Sequence, residues 1–219
     1  MRVRYLITDR WGGVSKPPYN TFNLALHVGD NPQKVAINRQ ILPKRVGHSI
    51  QYANQVHGDE IAVVDRIIDP PTCDGLLTQR ANLALAILTA DCYGVLLFDQ
   101  KRSTIAALHA GRAGATKGIV SKALSLMKER YRCEDIAAIL SPGICQKCYD
   151  IGDLAKEYPK RFLHGSHLDV KAMIEEQLRE GGVEWRDFGI CTSCDPDYFS
   201  YRRDGATGRF ASVIWMEEG

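Results

Sequence analysis

Apolar residues along this chain fall into short blocks separated by Gly, Pro, Asp and Asn, and the blocks keep two different periods. Leu83 to Thr89, Val95 to Asp99 and Ile105 to His109 are near-continuous apolar runs bounded by turn residues, the pattern of strands buried on both faces. Ile61 to Val64 and Ile136 to Leu140 are shorter runs of the same kind. Val3 to Thr8 alternates weakly and reads as a first strand, Phe210 to Trp215 as a last one. Elsewhere the spacing turns helical. Ile119, Val120, Ala123, Leu124, Met127 and Tyr131 recur at three and four, giving an amphipathic helix directly after a His109 loop, and a further helix over Leu168 to Arg179 ends at Gly181-Gly182. Asn31-Pro32 sets a capping residue before a proline that needs no amide partner, and Val35, Ile37 and Ile41 carry that helix up to Pro43. Trp11-Gly12-Gly13 and Pro17-Pro18 mark a loop before it.

Consecutive strands mixed with single helices, without a regular βαβ period or a Gly-rich dinucleotide fingerprint, predict an α+β fold. The expected architecture is a mixed α/β sandwich of short strands with flanking helices. Nothing along residues 1–219 reads as a linker, so a single domain is expected.

Charge narrows the function. The 28 basic and 26 acidic residues are interspersed and leave a net charge of +2, which builds no face for a phosphate backbone or an anionic lipid surface. No nucleic-acid or membrane partner is expected. The apolar runs are too short to span a bilayer and the N-terminus carries no long apolar segment, so the chain reads as cytoplasmic. Seven cysteines, an odd number without a leader, argue for metal binding or thiol chemistry over a disulfide framework.

Three of the candidate chemical groups sit where an apolar run breaks into Gly or Asp: His57 in Gln55-Val56-His57-Gly58, Cys92 in Thr89-Ala90-Asp91-Cys92, and His109 in Leu108-His109-Ala110-Gly111. Two imidazoles and a thiolate are three of the four ligands zinc prefers, and three protein ligands leave one position for water or substrate. Read alone, each is as well explained as a core histidine or a small buried thiol. Asp91, adjacent to Cys92, and Asp74, in Cys73-Asp74-Gly75, are candidates to orient a ligand imidazole or carry protons, and equally suit a turn and a cap. Cys145-x-x-Cys148 with Cys191-x-x-Cys194 has the pattern of a structural zinc knot, but the gap between the pairs exceeds a ribbon's usual loop, so free thiols are expected there. Arg202, Arg203 and Arg209 surround a Gly-punctuated turn that can grip an anion, and Arg39 and Arg112 are further candidates for an anion pocket.

Taken together, Asn23 to Asp30, Asn38-Arg39, Gln55 to Gly58, Asp74 to Thr78, Leu88 to Cys92, His109 to Gly111, Cys148-Tyr149 and Cys191 through Arg209 resemble, in the same order, the YfiH-like family. Its members have been called multicopper polyphenol oxidases or laccase-domain proteins, and are also described as peptidoglycan-editing factors and purine nucleoside phosphorylases. The resemblance implies zinc held by His57, Cys92 and His109. It implies phosphorolysis of adenosine, inosine and methylthioadenosine, with adenosine deamination as a second activity. In that deamination Asp91 or Asp74 would be the carboxylate expected to handle protons. Asn23, Arg39, Arg112, Arg202 and Arg203 become the residues expected to bind nucleoside and phosphate. One departure stands out: the family continues His-Ala-Gly with Trp-Arg-Gly, whereas Arg112 here takes the tryptophan position and Ala113 that of the arginine.

The oxidase name meets an arithmetic obstacle, since a four-copper cluster needs about ten histidines and the chain has six. A single copper in place of zinc remains open on the donor set alone. Two other readings use the same residues: a metal-free cysteine hydrolase with Cys92 as nucleophile and His109 as base, and a non-catalytic partner in peptidoglycan editing.

Overall fold

The computed structural model describes residues 1–217. One sheet has the order β1 (Arg2–Ile7), β12 (Phe210–Glu217), β5 (Leu83–Thr89), β2 (Ser49–Gln51), antiparallel except where β2 joins β5. The other has the order β11 (Glu184–Asp187), β8 (Ala137–Leu140), β6 (Tyr93–Asp99), β7 (Thr104–Ala110), β4 (Gly75–Thr78), β3 (Ile61–Val63). Its interior pairs are antiparallel, and parallel strands join at both edges. Five α-helices accompany them among the described residues: α1 (Pro32–Val46), α2 (Arg112–Thr116), α3 (Ile119–Tyr131), α4 (Val170–Glu180) and α5 (Tyr201–Asp204). A small hairpin of β9 (Leu163–His164) and β10 (His167–Leu168) precedes α4.

The sheets stack face to face, and the period of two along each strand decides what lies between them. Leu83, Leu85 and Ile87 of β5 meet Leu96, Ile105 and Ala107 of the other sheet in a dry inter-sheet core. The alternate residues Ala84, Ala86 and Leu88 turn outward under Leu42 and Val46 of α1. Val95, Leu97, Ala106 and Leu108 turn outward under α3 and α4. Four layers result: helix, sheet, sheet, helix. Because the central strands are covered on both faces, their sequences are continuous apolar runs, each buried Leu or Ile contributing about 1.5–3 kcal/mol. The mixed α/β sandwich expected from the sequence is the observed fold.

Several boundaries differ from the sequence reading. α1 runs through Pro43 to Val46, because buried Leu42 and Val46 hold the last turn on the core and Gly47, at φ 82°, caps it by donating its N–H to Pro43 O. The short α2 intervenes between the His109 loop and α3. α4 starts at Val170, capped by Asp169, and Leu168 belongs to β10. No helix of the described residues is long and apolar enough to cross a membrane.

One end of the sandwich gathers the candidate chemistry. β5 leaves its sheet at Thr89, and Ala90-Asp91-Cys92 crosses to β6 in the opposite sheet. β7 runs antiparallel to β6 and returns to the same end, pairing His109 with Gly94. His109 continues the face of Ile105 and Ala107, so its imidazole opens from the space between the sheets. Two residues there adopt the left-handed region that side chains normally avoid, His57 at φ 58° and Asp91 at φ 90°.

Candidate active site and metal centre

The ligand atoms of His57, Cys92 and His109 all lie within 4.8 Å of one another, although they come from a loop, a sheet crossing and a strand end. The two imidazoles meet edge to face with ring centroids 4.8 Å apart. Asp74, fully buried, organises both of them. Its carboxylate accepts the backbone N–H groups of Val56, His57 and Gly58 at 3.1, 3.0 and 2.6 Å and faces His109 Nδ1 at 2.7 Å, while its carbonyl accepts His109 N–H. With Nδ1 committed to the carboxylate, His109 turns Nε2 toward Cys92, the orientation a second carboxylate-held ligand imidazole needs.

Electrostatics follow from that packing. Burial alone would raise the Cys92 thiol, but the His109 charge and hydrogen bonds from His109 and His57 outweigh it and hold the thiol at about 6. His109 would be lowered by burial; the Cys92 charge and the Asp74 hydrogen bond raise it to about 9. Burial works against the Asp74 carboxylate too, and its bonds to His109 and the loop amides keep it below the usual carboxylate range. The trio thus favours a thiolate, the form that ligates metal. The backbone leaves room for an ion: a Cβ on Gly111 would stand 2.5 Å from Cys92 Sγ and 3.6 Å from His57 Cδ2.

A pocket of about 700 Å3 opens above the trio, a size ordinary for a small-molecule site. Three arginines line it. Arg112 donates to Tyr158 Oη at 2.7 Å, Arg202 lies 5.1 Å over the Tyr149 ring, and Arg209 donates to the carbonyls of Thr207 and Gly208 at 3.0 and 2.9 Å. Asp91, also in the wall, accepts Thr192 Oγ1–H at 2.8 Å and Arg202 N–H at 2.7 Å. It therefore joins the crossing to the arginine turn and makes no contact of the kind Asp74 makes with an imidazole.

The remaining candidates lie outside the pocket lining. Arg39 donates Nε–H to Leu24 O at 2.8 Å and stacks 4.3 Å over Tyr52. Arg203 pairs with Asp204 and donates to the carbonyls of Thr192, Asp195 and Tyr198. Asn23 is fully buried, accepts the N–H groups of Ala25 and Arg209 at 3.0 Å, and donates to Asp30 at 2.9 Å. These three shape the loops that carry lining residues. His27, Gln55, Tyr149 and Tyr201 line the pocket without having been singled out by sequence. All four stand inside the family-like stretches, and Gln55 pairs its side-chain amide with both backbone groups of Leu88.

The family model described as Multi-copper polyphenol oxidoreductase laccase matches residues 4–217. The chain belongs to that family. Within this laccase-type family it is similar to the Mycobacterium tuberculosis protein named Purine nucleoside phosphorylase Rv2149c, at 43% identity over 99% of this chain and 93% of that one. It is also similar to Purine nucleoside phosphorylase SCO2081 of Streptomyces coelicolor, at 39% identity over 96% and 94%. Among solved structures, the Bacillus licheniformis hypothetical protein YfiH superposes with a TM-score of 0.90 at 29% identity, covering 98% of this chain and 93% of that one. Neisseria meningitidis protein NMB0706 gives 0.89 at 33% identity, covering 99% and 95%.

Proposed function

We propose that the chain is a purine nucleoside phosphorylase with zinc on His57, Cys92 and His109, acting on adenosine, inosine and methylthioadenosine and deaminating adenosine as a second activity. The carrying observation is the two-histidine, one-thiolate cluster at the base of a pocket walled by three arginines. The names of the relatives support a nucleoside phosphorylase at the level of the family. Zinc suits the donor set better than copper: no methionine lines the pocket to serve as a weak axial ligand. When bound, zinc supplies a Lewis acid at the pocket base.

In phosphorolysis, phosphate attacks the ribose C1′, the bond to the purine nitrogen breaks, and ribose-1-phosphate and free purine leave. Arg112, Arg202 and Arg209 hold the phosphate by charge-assisted hydrogen bonds. Tyr149 and Tyr201 offer the flat, half-apolar surfaces a purine stacks on. Asp74 spends its carboxylate on His109 and three amides, so it positions ligands. Asp91 has both oxygens engaged and positions Arg202 and Thr192.

Metal content measured beside phosphate-dependent turnover on wild type and Cys92→Ala tests the assignment. Loss of the trio's zinc, about one per chain, together with ribose-1-phosphate production is expected. A Cys92→Ala protein with unchanged metal and turnover overturns it. A second reading rests on the paired thiolate and imidazolium, which also equips Cys92 and His109 for cysteine hydrolysis without metal. That enzyme would survive a chelator and be silenced by iodoacetamide.

A further inference from the structure

A second cluster of ligand-capable side chains gathers as closely as the pocket trio but consists of four cysteines. Cys145 and Cys148 follow β8, Cys191 and Cys194 follow β11, and those strands are parallel neighbours that end at the same edge. The parallel pairing continues beyond the strands as a bridge between Gly143 and Cys191. Both pairs then close the same tight turn: Cys148 N–H donates to Cys145 O at 3.0 Å, and Cys194 N–H to Cys191 O at 3.1 Å. All four sulfurs come within 4.8 Å of one another, with Cys148 Sγ and Cys194 Sγ 3.4 Å apart.

We propose that Cys145, Cys148, Cys191 and Cys194 hold a structural zinc ion that clasps the two loops together beside the pocket. Four sulfurs about 2.3 Å from one tetrahedral centre stand about 3.8 Å from each other, a spacing these four reach with small side-chain adjustments. The Cys145 amide donates to Cys191 Sγ at 3.3 Å, the kind of backbone donor that stabilises a ligating thiolate. Four protein ligands close the coordination sphere, which makes the site structural where the three-ligand trio stays open. On binding, the thiols give their protons to solvent, and no oxidant is required.

The clasp has consequences for the wall of the pocket. Tyr149 follows Cys148 directly and carries Arg202 on its ring. Thr192 follows Cys191 directly, is fully buried, and donates to Asp91 beside Cys92. Joining the two loops through an ion fixes both residues without lengthening either strand.

The test uses the full chain in the Cys92→Ala variant, where the pocket trio is disabled and any tightly held zinc belongs to the cysteine clasp. About one zinc per chain is expected there, falling to none when Cys148→Ser and Cys194→Ser are added. Cobalt replacing that zinc should give the intense sulfur-to-cobalt absorption of a tetrahedral thiolate site. Wild-type protein provides a control that needs no new fold: about two zinc per chain, with one retained after mild chelation. Four thiols titrating freely in Cys92→Ala protein incubated with excess zinc would overturn the clasp, as would an intact mass lower by four hydrogens, which reports two disulfides. Iron in place of zinc would overturn the choice of ion.

Discussion

The trio at the pocket base and the four-cysteine cluster beside it both gather sulfur or nitrogen donors within 4.8 Å, yet they are made by different means. The trio is assembled across the sandwich. His109 ends a buried strand, Cys92 lies on the crossing between sheets, and His57 is brought in by the Asp74 carboxylate. The cysteines come from two loops laid side by side at one sheet edge. An ion on the trio would keep a coordination position facing the arginine-lined pocket, whereas one on the four cysteines would have none to spare. The number of ligands the fold delivers, and the side left open, would then separate a reactive site from a structural one.

Crowding should separate the two most sharply. Gly111→Ala places a methyl 2.5 Å from Cys92 Sγ, where the neighbouring atom is the ligand itself. We expect loss of the trio metal and at least about a 100-fold fall in phosphorolysis, with the cysteine-cluster metal retained. Normal turnover in metal-replete Gly111→Ala would show that the trio does not carry the chemistry.

Removing the carboxylate that orients the trio is the next largest change. Asp74→Asn keeps the volume and gives up the charge-assisted bond to His109, and metal affinity at the trio should fall about 10- to 100-fold. Competition with a chromophoric chelator reads that loss, and the cysteine cluster should keep its affinity. Equal weakening of both sites would mean that Asp74 holds up the fold generally.

Much of the trio was legible as candidates because each closes a distinctive local pattern, Val-His-Gly in a loop, Ala-Asp-Cys after an apolar strand, and His-Ala-Gly at the end of another. The orienting partner was harder to see. Asp74 precedes the short β4, whose four residues Gly75-Leu76-Leu77-Thr78 are too few to show a period, so its contact with His109 emerges only once β4 pairs with β7. The cysteine pattern was visible in the sequence, but the long gap argued for free thiols and the closeness of its two halves was not legible. Its two halves meet through parallel pairing of β8 with β11, and β11 reads Glu-Trp-Arg-Asp, an edge strand with no buried run to announce it. Charge alone also nominated Arg39 and Arg203, which lie outside the pocket lining. A guanidinium on sequence looks the same whether it faces a pocket or ties a loop down through carbonyls, and only the loop path decides.

Arginine position gives a smaller, graded test of that distinction. Arg202→Ala removes a lining cation and should raise the KM for phosphate about 10-fold or more. Arg39→Ala, outside the lining, should leave that KM nearly unchanged while lowering stability by about 1–2 kcal/mol through the lost Leu24 carbonyl bond and Tyr52 stacking. The reverse pattern in steady-state kinetics would put the anion site around Arg39.

The mildest contrast is between the two ends of β6. At the Tyr93 end the buried carboxylate of Asp74 bonds His109, the partner of Gly94; at the far end Asp99 accepts the N–H groups of Arg102, Glu134 and Asp135 at 2.9, 2.9 and 3.0 Å. Burial would raise Asp99, and those amides outweigh it and hold the carboxylate below its usual range. A carboxylate depressed in the folded state stabilises the fold above its unfolded value of about 3.9 and loses that contribution as pH falls through the folded value. Asp99→Asn should therefore cost about 1–3 kcal/mol at neutral pH, with the difference from wild type shrinking below about pH 4. Turnover per folded molecule and metal content should not change. A stability gap constant across that range would show that the amides prefer shape over charge at this end, and would leave the charge argument standing only where Asp74 meets His109.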